Sequence, residues 1–122
     1  MLQMQDLTKS YGDVKALDGC TFGVGPGQML GFLGPNGAGK TTTLHVLLGF
    51  VQATSGEAFL FGEDVQHSIA RQRIGYLPEH PDTYKFMTGR ELLCMAGRLF
   101  GLKGTELKQR TAELLKTVDL EA

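Results

Sequence analysis

A chain of 122 residues, 42% hydrophobic and 20% charged, suits one small folded domain and excludes a disordered segment. Twelve Lys and Arg against thirteen Asp and Glu leave no global field for nucleic acid or anionic lipid, so neither is expected as the main ligand. Cys20 and Cys94 lack CxxC or metal spacing, the first ten residues carry no signal pattern, and the longest apolar stretch, around Val46 to Val51, is too short to cross a bilayer. A reduced cytosolic compartment is expected, with no direct membrane insertion and any membrane role passing through a partner protein.

Leu2, Met4 and Leu7 are nearly alternate, and Cys20, Phe22 and Val24 alternate cleanly, which predicts two strands with one buried face each. Tyr11-Gly12-Asp13 turns between them, and Gly25-Pro26-Gly27 breaks the second. Met29 to Leu33 reads as a buried central strand running into a glycine loop. A helix is predicted over Thr41 to Leu48, with Gly49 as its stop. Thr54-Ser55-Gly56 is a predicted turn, Glu57 to Phe61 a strand, Ile69 to Arg73 a helical turn, and Ile74 to Leu77 a short strand stopped by Pro78. Thr88 and Glu91 have capping-box spacing and open a helix whose apolar stripe is Leu92, Leu93, Ala96, Leu99 and Phe100. A last helix from about Thr105 turns Leu107, Leu114, Leu115 and Val118 inward.

Gly34-Pro35-Asn36-Gly37-Ala38-Gly39-Lys40-Thr41 fits the phosphate-loop pattern G-x-x-x-x-G-K-[ST]. Its place between a predicted strand and a predicted helix is what the chemistry requires. Glycines let backbone N–H groups approach phosphate oxygens without side-chain clash, and the helix start adds the positive end of its dipole. Lys40 reaches the β- and γ-phosphates as a point charge, the Thr41 hydroxyl is placed to ligand Mg²⁺, and Thr42 to bond an upstream phosphate. The three histidines show no metal spacing.

Further motifs follow in order: Tyr11-Gly12, Ala16-Leu17-Asp18-Gly19, Pro26-Gly27, Gly31 through Thr43, Thr54-Ser55-Gly56, and Ile74-Gly75-Tyr76-Leu77-Pro78. In order and wording the chain resembles the nucleotide-binding subunits of ATP-binding-cassette (ABC) transporters. The resemblance runs along the whole chain and covers about the first half of that family's domain. It implies an α/β fold, a P-loop NTPase core with N-terminal antiparallel strands and the start of a helical subdomain, in an incomplete domain. Residues 1–78 would form the nucleotide-binding core, and residues 79–122 a loop and the beginning of the helical subdomain. Gly34 to Thr42 would be the Walker A loop binding ATP with Mg²⁺. Tyr11 matches the aromatic residue that stacks on adenine, the plainer reading being a turn tyrosine packed on the strands.

Where the family usually has a glutamine that reaches Mg²⁺ and the attacking water, this chain has Glu79. A carboxylate also binds Mg²⁺, but it only accepts hydrogen bonds when ionised, so the metal role carries over more readily than the water-positioning one. A solvated loop glutamate is the alternative. Leu77-Pro78-Glu79-His80-Pro81 with Tyr84, Thr88, Arg90-Glu91 and Leu102 is similar to the subset serving ABC-2-type exporters. The resemblance implies a membrane permease partner, met by residues from about Glu79 to Phe100 with Thr83 as a crosslinking reporter. It also implies a second ABC subunit, and a place at the inner face of the plasma membrane.

The signature loop, the Walker B aspartate, the glutamate base after it and the switch histidine have no candidate among these residues. The 122 residues alone are therefore expected to bind ATP weakly, to associate and not to turn it over. Other readings are a soluble cassette ATPase outside transport, a truncated non-catalytic binding protein, and a small GTPase or nucleoside kinase. The last places its loop after the first strand, whereas two strands are predicted ahead of it here.

Overall fold

The computed structural model describes residues 1–82 and 84–121; Thr83 and Ala122 lie outside the described residues. The chain divides into two compact units, Met1–Gly75 and Tyr76–Ala122.

The first unit contains β1 (Leu2–Tyr11), β2 (Val14–Val24), α1 (Lys40–Leu47), β3 (Ser55–Leu60), β4 (Glu63–Asp64) and a 3-10 turn at Ser68–Arg71. The strands form one antiparallel sheet in the order β2-β1-β3-β4. Gly12 takes the positive φ of 58° that the tight β1–β2 turn requires. Two strands thus precede the glycine loop, as predicted. The near-alternation of Met4 and Leu7 has a physical cause. The register slips between them, and Asp6 sits at φ 49°, so that Leu7 points inward. Thr21 Oγ1 accepts the displaced Asp6 N–H at 2.9 Å. Gly56 (φ 83°) faces this bulge, where a Cβ would sit 2.5 Å from the Asp6 carbonyl carbon.

One sheet face carries the core. Met4 and Leu7 from β1, Leu17 from β2, Ala58 and Leu60 from β3, and Val65 and Ala70 beyond β4 close on Val46 and Leu47 of α1. Full burial of side chains such as Leu7 and Val46 contributes about 1.5–3 kcal/mol each, an upper bound. This cluster is what holds α1 to the sheet.

Several predicted elements differ. Residues 29–33 join no strand, and Met29 and Leu33 are almost fully exposed. A buried strand needs neighbours, and among the described residues none pairs with it; Phe32 packs on Phe22, with ring centroids 5.4 Å apart. Residues 74–77 likewise form no strand, although Ile74 packs on the core. The predicted turn at 54–56 is instead the edge of β3: Thr54 N–H donates to the Thr8 carbonyl at 2.8 Å, and Ser55 pairs with Thr8. The short β4 has too few residues to leave a periodic signal.

The second unit contains α2 (Gly89–Leu99) and α3 (Gly104–Thr117). The capping box forms as predicted: Glu91 N–H donates to Thr88 Oγ1 at 3.2 Å, and Thr88 N–H donates to Glu91 Oε2 at 2.8 Å. Leu107, Thr111 and Leu115 are the buried positions of α3, one narrow stripe against a single partner helix, so the predicted Leu114 and Val118 stay exposed. On α2 the stripe is half covered, with Leu99 and Phe100 exposed. Gly97 lets the pair approach closely, because a Cβ there would collide with Leu107 Cδ1.

The Thr88 backbone N–H, and then its hydroxyl, hold the Glu91 carboxyl below its usual 4.5. A carboxyl depressed in the folded state adds stability that is complete above its unfolded value and is lost as pH falls through the folded one. The first turn of α2 is therefore expected to loosen as pH drops below about 4.5. Glu91→Gln, which keeps an acceptor but does not titrate there, should remove this dependence. Amide exchange at Leu92 and Leu93 between pH 6 and pH 3 (roughly the carboxylate range) checks it: equal acid sensitivity in both proteins would count against the capping role.

Candidate functional site

Residues 34–39 join the exposed segment 29–33 to α1. Ala38 N–H donates to the Pro35 carbonyl at 3.1 Å and closes a tight turn, with Gly37 at φ 86°. At Gly34 a Cβ would stand 3.0 Å from Ala38 Cβ, so a side chain would fill the inside of the loop. Gly39 is the N-cap of α1 at φ 89°, and a Cβ there would collide with the Ala16 carbonyl oxygen of β2. Only glycine satisfies both demands at this position.

α1 starts with no side-chain cap and no acidic residue in its first turn. Thr43 N–H makes the first intrahelical bond, to the Gly39 carbonyl at 2.9 Å. The N–H groups of Lys40, Thr41 and Thr42 therefore have no acceptor within the helix, at the end where the dipole is positive. The Lys40 ammonium folds back over the loop and donates to the carbonyls of Gly34 and, at 2.8 Å, Pro35. Positive charge and free donors thus meet on one stretch of backbone. Thr41 is exposed and Thr42 half-buried.

Thr43 was missing from the predicted site and supports it from behind. It is buried, and its hydroxyl donates to the Gly39 carbonyl at 2.8 Å. The signal was the third threonine of a Thr41-Thr42-Thr43 run, four residues after the cap, where a helical hydroxyl returns to the i−4 carbonyl.

Tyr11 closes β1 and pairs with Val14 across the hairpin. Val14 is two residues from Ala16, so the tyrosine's end of the hairpin lies within about 7 Å, along the strand, of the Gly39 contact. Its ring is half exposed, and Lys9 Nζ lies 4.9 Å from the centroid. Glu79 belongs to the second unit, in the loop ahead of α2; its carboxylate is 90% exposed, with Oε1 4.0 Å from His80 Nε2. Among the described residues no three His, Cys, Asp or Glu side chains gather as a cation cage, and no helix is long and apolar enough to cross a membrane.

Residues 17–122 match the family described as ABC transporter. An uncharacterized ABC transporter ATP-binding protein, YxlF of Bacillus subtilis strain 168, is 42% identical over 120 residues, covering 98% of this chain and 40% of the relative. Nod factor export ATP-binding protein I of Cupriavidus metallidurans is 40% identical over 124 residues, covering 100% of this chain and 41% of the relative. The chain thus spans about two fifths of the length of these relatives. A solved ATP binding subunit of an ABC transporter superposes with a TM-score of 0.82 at 32% identity, over 99% of this chain and 51% of the other. The antiparallel strands, the glycine loop with its helix and the start of a helical region are shared with that fold, and the chain is a member of the ABC transporter family.

Proposed function

We propose that the chain supplies the phosphate-binding part of an ATP-binding subunit that powers export through a membrane permease. The observation that carries this reading is the start of α1, where uncapped N–H groups, the Lys40 ammonium and the glycine backbone at Gly34, Gly37 and Gly39 converge. Anionic phosphate oxygens satisfy all three. The loop from Gly34 through Pro35, Asn36, Gly37, Ala38 and Gly39 wraps the phosphates, Lys40 pairs with the β- and γ-phosphates, and Thr42 bonds an upstream oxygen. Thr41 offers its hydroxyl to Mg²⁺, a hard oxygen donor suited to that ion; Glu79, in the second unit, has a carboxylate of the same hard-donor class. Bound Mg²⁺ neutralises charge on the phosphates. Tyr11 presents a half-exposed ring for adenine; a base takes the face away from Lys9 or displaces it.

In the whole protein, hydrolysis, a second ABC subunit, a permease and a place at the inner face of the plasma membrane complete this reading. The Nod factor export name of a relative supports an export role. The contribution of Lys40 to turnover is charge stabilisation at the γ-phosphate, and that of Glu79 is through the metal. The exposed aromatics Tyr84 and Phe86 ahead of α2 give the permease an apolar surface.

Lys40→Ala in the full-length protein is expected to cost about 2–3 kcal/mol of Mg-ATP affinity, measured by titration with a fluorescent analogue. Unchanged binding would remove the phosphate assignment. Tyr11→Ala should weaken ATP by about 1–3 kcal/mol and Tyr11→Phe hardly at all. Equal binding of GTP and ATP, with neither substitution felt, would instead mark Tyr11 as a packing residue. A photocrosslinker on Phe86→Cys, chosen because Thr83 lies outside the described residues, should capture the permease in isolated membranes. Capture of ribosomal proteins alone would favour a cassette ATPase outside transport.

A further inference from the structure

Beside the C-terminal end of α1 lies a residue that the reading above leaves without a role. Arg71 closes the 3-10 turn, and its Nη1 donates to the Val65 carbonyl at 2.5 Å. The same guanidinium lies against Gly49, just past the C-cap Leu48 of α1, where a Cβ would sit 2.8 Å from Arg71 Cζ. Gly49 is thus empty of side chain both for its φ of 72° and because the guanidinium fills that space. Val65 is itself fixed: its N–H donates to the Ala58 carbonyl of β3 at 3.1 Å, and its buried side chain shares the core with Val46 and Leu47. The half-buried Arg71 is in none of the three carboxylate ion pairs found among the described residues. Its charge instead faces the negative end of the helix.

We infer that Arg71 is a positioning residue for the phosphate loop. α1 has eight residues and is about 12 Å long. A pivot of about 10° around its middle moves each end by about 1 Å, a misplacement large enough to matter for bound phosphate. The Gly39–Ala16 contact limits the N-terminal end, and the Arg71 guanidinium, bonded to the Val65 carbonyl, packs beside Gly49 at the C-terminal end. Together they set the direction in which the N–H groups of Lys40, Thr41 and Thr42 point.

The inference rests on reading residues 34–42 as the nucleotide's phosphate site. The test compares wild type, Arg71→Met, Arg71→Lys, Lys40→Ala and the Arg71→Met/Lys40→Ala double variant in the full-length protein, with Mg-ATP and adenosine as probes. Arg71→Met should weaken ATP on the order of tenfold and leave adenosine binding unchanged. Arg71→Lys, which keeps a charge at the helix end, should recover part of the loss. In the Lys40→Ala background the Arg71→Met effect should shrink, because both act through one loop. ATP affinity equal to wild type, or equal loss of ATP and adenosine, would overturn the inference. If Arg71→Met shows no cooperative thermal transition, Arg71→Lys decides: selective ATP loss supports the role and unaltered ATP affinity removes it. A wild type that ignores ATP, or a Lys40→Ala variant that binds it normally, takes down the phosphate site and this inference together.

Discussion

The first unit depends on one close approach, that of the Gly39 backbone to the Ala16 carbonyl of β2. It sets the start of α1 against the hairpin with no side chain between. The left-handed cap at Gly39, the buried Thr43 hydroxyl behind it and the packing of Val46 and Leu47 on the sheet all follow from that placement. A β-carbon at position 39 would push the helix off the strand and strain the cap at once. The loop ahead of Gly39 then has little freedom, because its last residue is fixed and its turn is closed by Ala38 on Pro35.

The glycine loop and the helix start that follows it were legible in the sequence because their geometry is local. A phosphate loop is a run of backbone donors, so the glycines, Lys40 and Thr41 fall within a few consecutive positions, and their types state the geometry they need. The capping box of α2 was legible for the same reason, Thr88 and Glu91 being three residues apart. Arg71 was not, since its guanidinium lies beside Gly49, 22 residues away in sequence, and nothing at either position announces the pairing.

The elements that differ from the sequence pattern do so for a common reason. Composition marks 29–33 as apolar, and apolar runs suggest burial, but burial is a property of neighbours. The described residues bring no strand beside this segment, and Met29 and Leu33 remain open. Leu114 and Val118 fail in the same way, because the width of a helix's buried stripe depends on how many elements pack against it. At the Asp6 bulge, backbone geometry shifted the inward positions without any change in residue pattern.

The carbonyls of Gly34 and Pro35 solvate the Lys40 ammonium from within the loop. Binding an anion there is consequently an exchange reaction and not a simple addition, since the lysine must trade bonds it already makes for new ones. Such a loop has a threshold. A small monovalent anion, well hydrated in bulk water, gains little from displacing two internal acceptors, whereas a polyphosphate engages the lysine and the helix N–H groups together. On the proposed reading, discrimination against chloride begins at the lysine, through the two carbonyls it must leave, before any contact with a base.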